Sequence, residues 1–170
     1  MGVGKTRLGR LVSRRLNARF HDLDHRVEDG AGMSVAQIFA RFGQNYFREL
    51  EHVSLRSLSG LEAAVVATGG GAFTFERNRK IIENLGISLW IDLDFDSIVG
   101  RMSSRGRAAR PLLQDEDRAR ALFDARRDIY RQADLAVEVE RGEAAKSVAA
   151  RILGLLQERR LLRERSCVTS

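Results

Sequence analysis

The chain opens inside a phosphate-binding loop. Residues 1–6 read M-G-V-G-K-T, the end of the pattern G-x-x-x-x-G-K-[ST], whose first glycine would stand two residues ahead of Met1. Few motifs constrain a fold so tightly, because such a loop joins the C-terminal end of a parallel strand to the helix that follows it. Gly2 and Gly4 let the backbone turn its N–H groups around a polyphosphate. Lys5 brings a compact positive charge to the β and γ phosphates, and the Thr6 hydroxyl is placed to ligate Mg²⁺. Leu8, Leu11, Val12 and Leu16 recur at helical spacing, which predicts a helix from Thr6 to Leu16 with its N-terminal dipole facing the anion.

Downstream the elements alternate. A short strand is expected to end at Asp22, followed by helices over 35–42, opened by a Ser34 cap, and 44–58. Residues 64–67 form an apolar strand leading into Gly69-Gly70-Gly71. A helix near 76–84, a strand over 87–91, a helix from about Phe95, an arginine-rich loop over 105–111, a helix near 118–132, a strand over 135–139 and a closing helix over 144–159 complete the series. Strands alternating with helices predict an α/β fold, a mostly parallel sheet covered on both faces.

The length of 170 residues suits one compact domain, expected over 1–160, with a polar, disordered tail over 161–170. The formal charge is +6, yet Arg and Lys are interleaved with Asp and Glu, so anionic small substrates explain the surplus and no nucleic-acid partner is expected. The single cysteine, Cys167, excludes an internal disulfide and fits a reducing compartment. No apolar run approaches a membrane span, and no membrane partner is expected. These features predict a cytoplasmic protein.

Four further clusters carry chemistry. Asp22 and Asp24 stand one residue apart at the end of the second expected strand. Period-two geometry would put both carboxylates on one side at the ligand edge of the sheet, for Mg²⁺ and a substrate hydroxyl; the alternative is a pair of helix caps. Arg48 precedes Glu51 by three residues, a spacing that lets the carboxylate orient the guanidinium for bidentate recognition of a substrate carboxylate, or that makes a solvated helical ion pair. Three glycines after a buried strand permit close approach of backbone to a ligand, where a tight turn needs fewer. Arg105, Arg107 and Arg110 before Pro111-Leu112-Leu113 suit a lid that closes over nucleotide phosphates, or a solvated turn. Arg126, four residues before Tyr130, is placed to project inward with that lid, with Arg127 the competing assignment.

In order and spacing, the set G-V-G-K-T, D-L-D, F-R-E-L-E, T-G-G-G, R-P-L-L and R-x-x-x-Y resembles the shikimate kinase family over residues 1–155. The resemblance implies a P-loop kinase fold with sheet order 2-3-1-4-5, and phosphorylation of the 3-hydroxyl of shikimate by ATP. It implies that Gly2, Val3, Gly4, Lys5, Thr6 and Arg7 hold ATP, with Thr6 and Asp22 on Mg²⁺. Asp24 would bind the shikimate hydroxyls and act as base or orienting group, while Arg48 and Arg126 grip the carboxylate. Gly70 and Gly71 would offer N–H groups to the ring, Phe39 and Phe47 would wall the pocket, Arg110 would be the lid arginine, and Arg101 would stack on adenine. Lys5, Asp24 and Arg110 would be the catalytic set, and the family implies a monomer. A gluconate-kinase-like enzyme or a non-catalytic nucleotide-binding remnant are the alternatives.

One departure stands at the front. In the implied order the strand before the phosphate loop is the central one, and residues 1–170 do not supply it. Such a strand contributes apolar burial and ladder hydrogen bonds on the order of 10 kcal/mol. The expectation is a late start or a fragment, with about ten more residues in the functional protein to supply that strand.

Overall fold

The computed structural model describes residues 2–61, 63–100 and 115–168, with side chains through Arg159. Arg101, Arg105, Arg107 and Arg110 fall outside the described residues. The fold is α/β, with short parallel strands flanked by helices. In chain order the elements are α1 Lys5–Arg15, β1 Arg19–Asp22, α2 Leu23–Ala31, α3 Val35–Arg56 and β2 Ala64–Ala67. They continue through a 3-10 turn Ala72–Thr74, α4 Glu76–Leu85, β3 Leu89–Asp92, α5 Phe95–Gly100, α6 Glu116–Tyr130, β4 Leu135–Glu138 and α7 Ala145–Val168. The last helix runs past residue 160, where the sequence places the start of a polar tail.

Three local decisions set the site. Gly4 takes φ 88, a left-handed value that glycine adopts without the Cβ penalty, and α1 begins at the next residue. Ser34 and Gln37 exchange hydrogen bonds in a capping box that fixes the start of α3. Gly43, at φ 78 and ψ 178, kinks that helix between the two segments expected from sequence.

One element was not expected. The segment after Asp22 is a helix, α2, with Asp22 as its N-cap and Gly32 closing it at φ 65. Leu23 and Val27, four residues apart, are buried, and Val27 joins the core cluster with Ile38 and Phe47 of α3. Asp24 therefore reaches the site from the first turn of a helix, and the strand alternation expected to align it with Asp22 does not apply.

The strands pair as two parallel ribbons. β1 lies on β2 in the register Arg19–Ala64 to Asp22–Ala67, and β3 lies on β4 from Leu89–Leu135 to Asp92–Glu138. Both pairs are neighbours in the order implied by the sequence. The continuous sheet is not seen among the described residues: β2 and β3 face each other across an apolar cleft of about 280 Å³, lined by Ala64, Val66, Leu89 and Ile91 with Leu55 and Leu58. α1 packs against the first ribbon and the last helix, and its Leu8 and Val12 share a core with Leu93, Val137, Val148 and Ile152. The phosphate loop, the end of β1 and the residues after β2 and β3 consequently gather at the mouth of the cleft, where ligands bind in sheets of this kind.

Candidate active site

The loop and the first aspartate are joined directly. Thr6 Oγ1 donates to Asp22 Oδ2 at 2.7 Å, and Asp22 Oδ1 accepts from the Asp24 backbone N–H at 3.2 Å. Asp22 thus caps α2 and presents an oxygen beside the Thr6 hydroxyl. A hydroxyl and a carboxylate side by side at a helix N-terminus fit Mg²⁺, which takes one or two protein oxygens and completes its shell with phosphate and water. Lys5 and Val3 line the cleft from the same loop.

Asp24 sits deeper. Burial pushes its carboxyl above the ordinary aspartate range, the charge of Asp22 adds to the rise, and Lys5 opposes it. Around Gly69 the packing is close enough that a Cβ would come within 2.8 Å of both Asp24 Oδ1 and Glu51 Oε1. The two carboxyls therefore face one another over a glycine that has no side chain to separate them.

Glu51 has no exposed surface and accepts from Arg48 Nη1 at 2.8 Å. Its pKa is raised by burial, with the Arg48 guanidinium the chief opposing influence and Arg126 a further one. Arg48 is itself held between the rings of Phe47, 5.1 Å away, and Phe75, 5.8 Å away. A Cβ at Gly71 would overlap this guanidinium. The sequence left open whether Arg48 and Glu51 form a solvated surface pair; the geometry is that of a shielded one. Phe39 stacks on Phe47 with centroids 4.7 Å apart, a tilted pair beside Arg48.

The glycine turn has its carbonyls committed. Gly69 O accepts from Ala72 N, Gly71 O from Thr74 N and Thr74 Oγ1, and Gly70 O from the Tyr130 hydroxyl. Ala72 O takes the Asn78 side-chain amide, and Phe73 O takes Arg79. Fixing the carbonyls toward protein donors fixes the opposite edge of the same peptides, where the N–H groups of Gly70 and Gly71 lie.

Arg126 and Arg127 part ways. Arg127 donates to Asp92 Oδ2 at 2.9 Å and lies over Trp90 at 5.8 Å. Arg126 acts on Tyr130 and on the buried Glu51. Neighbouring helix positions point about 100° apart; both arginines line the cleft, with the Arg127 guanidinium already tied to Asp92. Tyr130, raised in pKa chiefly by burial, and Asn78 are site-shaping residues that the sequence did not single out for this purpose. In sequence Asn78 is one polar position among several in an amphipathic helix, and only the packing of α4 shows it buried.

Substitution at Gly71 tests the packing. Gly71→Ala must displace the Arg48 guanidinium from its partner, so binding of a carboxylate-bearing acceptor is expected to weaken at least about tenfold, the worth of a single hydrogen bond to a charged group. Binding of a nucleotide should change little. Titration calorimetry with each ligand measures the two affinities separately.

The sequence model of shikimate kinase matches residues 1–157. The shikimate kinase of Cereibacter sphaeroides is 41% identical over 162 residues, covering 94% of this chain and 80% of that protein. That of Geobacter sulfurreducens is 38% identical over 161 residues, covering 93% and 87%. Among solved structures, shikimate kinase from Acinetobacter baumannii in complex with shikimate superposes with a TM-score of 0.87 at 35% identity, covering 95% of this chain and 90% of that one. The Aquifex aeolicus shikimate kinase gives a TM-score of 0.82 at 36% identity, covering 95% and 94%.

Proposed function

The chain belongs to the shikimate kinase family, and on that premise we propose how its own residues carry out the family's reaction. The protein transfers the terminal phosphoryl group of ATP to the 3-hydroxyl of shikimate, giving shikimate 3-phosphate and ADP, a step of the shikimate pathway. We take it to act as a monomer in the cytoplasm, a setting that the lone Cys167 supports.

Gly2 to Thr6, followed by Arg7, cradle the phosphates at the start of α1, with Lys5 as the point charge on the terminal groups. Thr6 and Asp22 would hold Mg²⁺, which when bound neutralises charge on the β and γ phosphates. Arg110 is assigned the lid position over the phosphates, and Arg101 the adenine face. Shikimate lies across the glycine turn. Its carboxylate meets Arg48, which Glu51 pins from behind, and Arg126; its ring oxygens meet the N–H groups of Gly70 and Gly71, with Phe39 and Phe47 as the wall.

Asp24 then faces the acceptor hydroxyl. Phosphoryl transfer through a loose transition state needs little covalent help, so its contribution is to align that hydroxyl and to take its proton as the oxygen bonds to phosphorus. A carboxyl whose pKa is raised by burial is a better proton acceptor than an exposed aspartate. Holding the acid group at Arg48 and the hydroxyl at Asp24 fixes the ring at two points, which sets the third, the line to the phosphorus.

The observation that carries the reading is the packing of Arg48 into the space above Gly71, with Glu51 buried behind it. A gluconate-type acceptor is also a hydroxy acid, but an extended chain does not call for a flat glycine platform beside a rigid carboxylate clamp. The test separates the adjacent arginines. Arg126→Ala is expected to raise KM for shikimate roughly 10- to 150-fold, one charged hydrogen-bonding contact, with KM for ATP little changed. Arg127→Ala should leave KM for shikimate within about threefold. Equal effects from the two substitutions would contradict the assignment.

A further inference from the structure

We propose that Asn78, together with His52, is a positioning residue for the acceptor site: it fastens the glycine turn to the helix that carries Arg48. This rests on the reading of that turn as the platform for shikimate.

Asn78 is 1% exposed, and both ends of its amide are used. Nδ2 donates to Ala72 O at 3.0 Å, and Oδ1 lies 2.7 Å from His52 Nδ1. Because the Ala72 carbonyl can only accept, the amide orientation is fixed, and His52 must donate from Nδ1. The chain of donors therefore runs from α3 through α4 into the turn.

Its placement gives it a purpose beyond packing. Arg48 and His52 are four residues apart on α3 and so share one face. Arg48 fills the space above Gly71, while His52 reaches the next residue, Ala72, through Asn78. Two consecutive residues of the platform are thus gripped from one helix face, one directly and one through the amide. A buried asparagine is costly to retain unless both its ends are satisfied, and a leucine would fill the volume more cheaply. What leucine cannot do is set the Ala72 peptide relative to Arg48, and with it the distance between the carboxylate clamp and the N–H groups of Gly70 and Gly71.

The measurement is steady-state kinetics with each substrate varied, alongside thermal melts, on the parent chain and on Asn78→Ala, His52→Ala, His52→Asn and the double alanine variant. Asn78→Ala is expected to raise KM for shikimate roughly tenfold while KM for ATP stays within about twofold, because only the acceptor platform shifts. His52→Ala should move KM for shikimate in the same direction by a smaller factor, and the double variant should be no worse than Asn78→Ala, since both sit in one chain of contacts. His52→Asn keeps a donor near the Nδ1 position and should restore the parent value. Unchanged KM for shikimate in a folded Asn78→Ala protein overturns the proposal, as does an equal rise for both substrates that tracks the melting temperature. Should Asn78→Ala fail to fold, the His52 pair decides alone: no difference between alanine and asparagine there overturns it. A folded parent chain without shikimate-dependent turnover is a distinct outcome and overturns the acceptor reading itself.

Discussion

Arg48→Ala is expected to weaken shikimate binding by at least about a hundredfold and to destabilise the protein by about 3–5 kcal/mol. Both losses have one source. In the proposed function the guanidinium supplies charged hydrogen bonds to the substrate carboxylate, each worth about 1.5–3 kcal/mol. It also neutralises Glu51, which has no exposed surface and would be left as an unpaired buried charge. For a domain of this size the destabilisation lowers Tm by roughly 10 °C. The two losses can be separated: Arg48→Ala combined with Glu51→Gln should recover most of the stability and none of the binding.

The pH dependence of that defect has a definite sign. Glu51 already has a folded-state pKa above its ordinary value because of burial, held back chiefly by Arg48. Without Arg48 it rises further, so the folded state binds a proton more tightly than the unfolded chain does. Stability is then lost as pH rises through the folded value, and kept below the unfolded one. Arg48→Ala should therefore melt much closer to the parent at pH 5 than at pH 8. Thermal melts across that interval measure it; a defect independent of pH would argue against an ion-pair origin.

Asp24→Asn is expected to lower kcat by roughly 10²–10⁴-fold, the range of a positioned acid–base group. Asparagine preserves the shape but can neither take a proton nor orient the hydroxyl with a full charge. In the parent, kcat/KM should fall on the acid side at a pH above that of an ordinary aspartate, since the carboxyl must be ionised and burial, then Asp22, raises its pKa. The same shift makes Asp24 a cost to folding above its folded-state pKa, because the buried carboxyl resists ionising. Asp24→Asn should accordingly be at least as stable as the parent at pH 8 while nearly inactive. A variant both inactive and unstable would instead give Asp24 a structural role.

How much of this was legible in the sequence depended on whether a residue's partner was local. The phosphate loop, F-R-E-L-E and T-G-G-G were visible as local patterns, whereas the seating of Arg48 over Gly71 and of the Tyr130 hydroxyl on Gly70 O depends on residues distant in the chain. The α2 helix was hidden because Asp22 and Asp24 invite a strand reading, although the Asp22 cap, the Leu23–Val27 spacing and Gly32 together specify a short helix. Arg126 and Arg127 are equivalent on propensity, and only Asp92 and Trp90, brought in from β3, separate them. His52 and Asn78 meet across 26 residues, a juxtaposition created by α3 packing near α4 and invisible to any local pattern. The strands themselves were readable as apolar runs, and their pairing, β1 with β2 and β3 with β4, follows the neighbours in the sheet order that the family resemblance implied.

The proposed function sets an ATP site beside a clamp for a cyclic hydroxy acid. ADP release with saturating Mg-ATP, measured with no acceptor, with shikimate and with gluconate, tests it most directly. Release is expected to require shikimate, to saturate with it, and not to be supported by gluconate. Release from the folded protein that ignores shikimate, or that gluconate supports equally, would contradict it.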